Sequence, residues 1–191
     1  MKYSVNLNVR DLMTLADELN QYADRFEQKV ELFLSKLADL AIYVASVNEG
    51  DFSGYIVYSK EFEGNKTVKV MAKDSQVITN SWYAGSKSTE LKQEEISPLL
   101  MAEFGSGHYA ISKDGIGGQG SLNVYGHAFD SNGWYWWTDD VTQISSGDAM
   151  VSAANGRWKF HSYGTPPSQP LHKAVMACIS EVEEIAREVF R

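Results

Sequence analysis

Four histidines (His108, His127, His161, His172), one cysteine (Cys178) and the adjacent carboxylates Asp139-Asp140 and Glu183-Glu184 are among the side chains with which this chain could do chemistry. Their spacing gives none of them a working partner. A zinc site needs histidines one helical turn apart or histidines combined with cysteines, and neither pattern occurs. Cys178 falls at helical spacing among apolar residues, where a thiolate is disfavoured, and no G-x-S-x-G elbow offers a serine nucleophile. Neighbouring carboxylates point apart on a strand or a helix, so neither pair can flank one glycosidic bond. Gly115-Ile116-Gly117-Gly118-Gln119-Gly120 satisfies the dinucleotide-loop pattern. That loop must sit between a strand and a helix N-terminus to hold a pyrophosphate, and Ser121 to Phe129 is β-like and glycine-interrupted instead. The expectation is a chain with no enzymatic activity, no metal and no cofactor.

One local feature could bind something. Trp134-Tyr135-Trp136-Trp137 is bracketed by Asp130, Asn132 and Asp139-Asp140, so alternate aromatics of a strand there would project to opposite faces. At least one aromatic face should then be partly exposed. Exposed tryptophans stack on sugar faces or anchor protein interfaces, whereas the bland reading is a small core inside a loop.

Whole-chain totals bound the partners. A net charge of −8 over 191 residues and a pI near 5.0 argue against a groove that grips phosphates. A single cysteine excludes an intrachain disulfide and suits a reducing cytoplasm. No basic and apolar leader is readable at the N-terminus, and no stretch approaches the ~18 consecutive apolar residues of a membrane span. The length fits one domain, 1–191.

The elements that must position these residues follow from periodicity. After a short strand-like lead (Val5, Leu7, Val9), Asp11 can cap a helix running to about Asn48. Its stripe is Leu12, Leu15, Leu19, Tyr22, Phe26, Val30, Phe33, Leu37, Leu40 and Val44. Such a helix outruns a compact domain, so it either bends or packs on a neighbouring chain. The period then changes to two. Tyr55 to Phe62 and Thr67 to Lys73 flank Glu63-Gly64-Asn65-Lys66 as a hairpin, Val77 to Ala84 is a further strand, and Lys87 to Glu95 reads as a charged connector. Residues 107 to 156 are rich in Gly, Ser, Asp and aromatics and read as an elaborated loop insertion with room for a hairpin of its own. Trp158 to Tyr163 alternates as a last strand. Pro170 opens a final helix with the stripe Leu171, Ala174, Val175, Cys178, Val182, Ile185 and Val189. The fold class is α+β: a three- to five-stranded antiparallel sheet covered on one face by the long N-terminal helix and the C-terminal helix.

Two runs bracket the insertion. In Leu99-Leu100-Met101-Ala102-Glu103-Phe104-Gly105-Ser106-Gly107, an apolar stretch stops at two glycines that can turn the chain sharply. Glu103 could accept from the turn's free N–H groups, and the simpler reading is a surface glutamate on a glycine-capped helix end. The second run is Tyr163-Gly164-Thr165-Pro166-Pro167-Ser168-Gln169-Pro170-Leu171-His172-Lys173-Ala174. Together and in this order they resemble the tail-completion or head-tail joining proteins of long-tailed bacteriophages, also called minor capsid or minor tail proteins. In that family a long N-terminal helix precedes a small antiparallel sheet. An E-F-G-[ST]-G run then leads into a variable loop, and a G-x-P-[PA]-x-P-like turn opens the C-terminal helix.

The resemblance spans about residues 10 to 191 and implies a non-enzymatic virion component at the neck or tail, assembled in the host cytoplasm. It would act within a homo-oligomeric ring, touching tail-tube and head-connector proteins, away from any membrane. DNA would pass an acidic lumen without specific binding. The candidate interaction residues are Glu103, Phe104, Gly105 and Gly107, then Trp134, Trp136 and Trp137, and Gly164, Pro166 and Pro167. The alternative is a glycan- or surface-binding accessory module that uses the Trp134 to Trp137 strip.

Overall fold

A computed structural model describes residues 9–83, 90–109, 132–138, 148–154 and 157–191. The strand-like lead at Val5 and Leu7, the glycine pattern at 115–120, His127 and Asp139-Asp140 lie outside the described residues. The first element, α1, spans Val9–Val47 as one 39-residue helix, about 58 Å long at the standard rise. The last, α3, spans Pro170–Phe190 and lies against α1. Ala38, Ala45 and Ala174 are all buried, and such small side chains let two helix backbones approach closely. The Lys173 ammonium reaches Asn48 Oδ1 at 3.0 Å, and Lys36 pairs with Glu188 at 2.7 Å. The two contacts fix the helices antiparallel.

Strands β1 (Ile56–Phe62) and β2 (Val68–Asp74) form the hairpin expected around Gly64. They make a sheet of their own, which packs on α1. Lys60 reaches from β1 to Asp39 of α1 at 2.6 Å. The second sheet takes β3 (Ile78–Tyr83), β4 (Leu91–Ile96), β5 (Trp134–Thr138), β6 (Asp148–Ala154) and β7 (Arg157–Ser162) in the order β4-β3-β5-β7-β6. Every pairing is antiparallel, and the β6–β7 ladder shifts register between Met150 and Ser152. The fold is thus α+β, with its strands divided between two sheets instead of gathered in one.

Two segments differ from the sequence expectation. Residues 91–95 of the stretch read as a charged connector lie in strand β4, and the run read as a loop insertion supplies β6 in addition to β5, the strand expected at Trp134. Between the sheets, α2 (Pro98–Phe104) starts with Ser97, whose hydroxyl accepts from the Leu100 N–H at 3.1 Å. Asp74, at the end of β2, accepts from the Leu99 N–H at 2.7 Å, so the hairpin also ties the start of α2. Met101 and Ile96 are buried together, with Phe52 and Ile78 against them. This small apolar cluster joins α2 to the end of β4 and the start of β3.

Candidate interaction site

The two bracketing runs, far apart in sequence, lock into one stem. α2 ends where Gly105, at φ 74°, donates its N–H to Met101 O at 2.8 Å, the glycine-capped end that the sequence suggests. The next residue crosses to the other run. Ser106 N–H donates to Thr165 O at 2.9 Å, and its Oγ accepts from the Thr165 N–H at 2.9 Å. The His108 N–H donates to Tyr163 O at 2.8 Å. Ser106 is fully buried, so both of its polar groups need these partners.

The backbones approach so closely that side chains are excluded. A Cβ on Gly107 would overlap the Tyr163 carbonyl, and one on Gly164 would overlap the Ser106 carbonyl. Both residues also sit at positive φ, 58° and 93°.

The stem then seats α3. Ala102 O accepts from the N–H groups of Ser168 and Gln169 at 2.9 and 3.0 Å, and from Ser168 Oγ at 3.2 Å. Gln169, the residue before α3, has a left-handed backbone and makes no side-chain cap. Glu103 caps the helix in its place, with the Leu171 N–H donating to Oε2 at 2.8 Å and the His172 N–H to Oε1 at 3.1 Å. Both oxygens meet donors at the positive end of the helix dipole. Glu103 therefore braces neither the turn beside it nor a free surface.

Its electrostatic influence extends to Tyr58 of β1. The Tyr58 hydroxyl is pushed well above the ordinary phenol range, first by burial, then by the buried Glu49 carboxylate, with Glu103 adding to it. Glu49 in turn accepts from the Gly54 N–H at 3.1 Å. Of the other stem candidates, Phe104 and Pro167 are half-buried and Pro166 is exposed.

The aromatic strip lies in the middle of the five-stranded sheet. Pairing in β5 and β7 puts Trp134, Trp136 and Thr138 on one face with Phe160 and Trp158, and Tyr135 and Trp137 on the other with Lys159 and His161. The alternation expected of this run is present. Trp136 stacks on Phe160 at 5.3 Å, Tyr135 stacks on His161 at 4.5 Å, and His161 meets Tyr163 edge-on at 4.4 Å. Trp134 is buried, while Trp136, Trp137 and Tyr135 are half-buried.

Lys159, only 1% exposed, holds its ammonium 5.3 to 5.7 Å from the ring centres of Tyr83, Tyr135 and Trp137. Desolvation pulls its pKa below the ordinary lysine value. No signal in the sequence marks this lysine, because alternation alone places any residue of β7 on one face or the other.

The remaining candidates stand apart. Half-buried Cys178 directs its Sγ towards Leu37 O at 3.5 Å, and burial pushes the thiol up. Glu183 pairs with Arg187 on the exposed side of α3 at 3.1 Å. His161 contacts Asn132 O at 2.8 Å, and His172 lies in the first turn of α3. Among the described residues no three potential metal ligands gather, and no helix is long and apolar enough to cross a membrane. No protein-family model matches this chain, nor does any curated protein or solved structure.

Proposed function

We propose that this chain is a non-enzymatic structural component of a tailed-phage virion or prophage, which completes the tail or joins it to the head connector within a ring at the neck. The observation that carries the reading is the stem. The two runs of the resemblance, Glu103 to Gly107 and Gly164 to Pro170, interlock backbone to backbone and seat the C-terminal helix.

Two further features support an assembly role. Large apolar side chains are exposed along both helices outside the N-terminal arm of α1, among them Tyr43, Val47, Val175, Met176 and Ile179, which is more than a solitary domain ordinarily leaves uncovered. The chain's net charge of −8 suits a lumen through which DNA passes without adhering. In this reading the partners are further copies of the chain, tail-tube protein and head-connector protein. Assembly takes place in the host cytoplasm.

The test is electron microscopy of tailed particles from the source, labelled with an antibody to this chain. Label at the head-tail junction is the expected result. Label at the distal tip would favour glycan or surface binding through the tryptophan strip. Particles bearing no label would overturn the virion assignment.

A further inference from the structure

The first half of α1 carries an apolar seam that stays exposed. α3 ends at Phe190, whose ring lies 5.8 Å from both Phe26 and Phe33, so α1 before Phe26 runs on past the end of its helical partner. Along this arm Leu12, Leu19, Tyr22 and Phe26 are 46, 59, 65 and 49% exposed. Leu12, Leu15, Leu19, Tyr22 and Phe26 follow one another at steps of three and four, the heptad spacing of a two-helix seam. A second consecutive step of four, to Val30, then rotates the stripe onto α3. The sequence changes phase where the intramolecular partner ends.

We propose that this arm pairs with the same arm of a second copy of the chain, antiparallel, about a two-fold axis between Asn20 and Gln21. The proposal does not depend on the virion reading. In this register Leu19 faces Tyr22 of the second copy, Leu15 faces Phe26 and Leu12 faces Lys29, and the two-fold repeats each layer. The seam so formed is about 27 Å long at the helical rise.

One flank sets Glu18 opposite Arg25 of the second copy, again twice, while the other sets Ala16 opposite Ala23 and lets the backbones approach. Glu18 and Arg25 are both exposed. A groove of about 340 Å³ lined by Tyr22, Arg25, Phe26, Lys29 and Phe190 sits where α3 stops. It would receive Leu12 and Leu15 of the second copy, with Arg25 at its rim for Glu18.

Charge selects this arrangement over its neighbours. Sliding the antiparallel pair by one heptad opposes Glu18 to its own copy and shortens the seam. A parallel pair sets Glu18 against Ala23 and Arg25 against Val30, with no ion pair at all. The arm is self-complementary in one register, and that commits it to a second copy as its occupant.

Sedimentation equilibrium of the full chain tests the pairing. A dimer is expected, and Leu19→Glu should make it monomeric with the helical circular dichroism and the melting of the body retained. Glu18→Arg and Arg25→Glu should each weaken the dimer by about tenfold, since each turns two ion pairs into like-charge contacts, and the double exchange should restore it. A wild-type chain that stays monomeric up to roughly 100 µM would overturn the proposal. So would a dimer indifferent to Leu19→Glu, or a double exchange no tighter than the single ones.

Discussion

The Leu171 N–H donates to Glu103 Oε2 at 2.8 Å, so a carboxylate 68 residues upstream caps the first turn of α3. The His172 N–H takes the other oxygen. One side chain at the end of α2 thereby sets where the C-terminal helix begins and ties it to the strand-rich middle of the chain.

Removing that carboxylate should cost stability without changing the fold. Glu103→Ala loses two charge-assisted bonds and should cost about 1–3 kcal/mol in urea unfolding. Glu103→Gln, which keeps an acceptor oxygen without the charge, should cost less. Equal stability of Glu103→Ala and the wild type would show that the cap does not form in solution.

Glycines of like conformation should differ in cost according to the space around them. Gly54 has φ 84° with nothing near its would-be Cβ, so Gly54→Ala should cost about 1 kcal/mol from backbone strain alone. Gly107→Ala adds overlap with the Tyr163 carbonyl, and roughly 3 kcal/mol or more is expected from strain and displaced backbone. Thermal melts of the two variants side by side give the comparison.

Tyr58 should make the protein sensitive to alkali. Burial and then Glu49 raise its hydroxyl above the ordinary value of 10.0. Above that pH the unfolded chain has released the proton and the folded chain still holds it. The unfolded state then binds fewer protons, and stability falls as pH rises, by up to about 1.4 kcal/mol per unit from this group. Tyr58→Phe removes the proton from both states, so its stability should decline less steeply than the wild type's between about pH 10 and 11. Parallel slopes would contradict the burial of this hydroxyl.

The aromatic strip should answer to its sheet neighbours. Phe160 is buried beneath Trp136, and Phe160→Ala should cost about 3–5 kcal/mol as a cavity opens. It should also reduce the near-ultraviolet circular dichroism of the tryptophans. Trp136→Phe, which keeps an aromatic ring at a half-buried position, should cost far less. If the two cost the same, the stack is not part of the core.

Much of the fold was legible because its cause is local. The three- and four-residue steps from Leu12 to Val44 state α1, Gly64 between two alternating runs states the hairpin, and Pro170 ahead of an apolar stripe states the start of α3. The two strands that escaped, β4 and β6, are the outer strands of the five-stranded sheet. An edge strand pairs on one side only, and β4 (Leu-Lys-Gln-Glu-Glu-Ile) and β6 (Asp-Ala-Met-Val-Ser-Ala-Ala) lack the apolar alternation that marks a strand inside a sheet.

The sequence by itself determined the two long helices, the hairpin around Gly64 and the alternating strands at Trp134 and Trp158, and that α1 carries an apolar stripe along its whole length. Only the tertiary structure decided that the strands divide into two sheets, that Lys159 is enclosed by Tyr83, Tyr135 and Trp137, and that Glu103 caps α3. Helix and strand periods are written in neighbouring residues. A cap or a cage depends on which distant donors and rings the closed chain brings within hydrogen-bonding or van der Waals reach, and no local pattern specifies them.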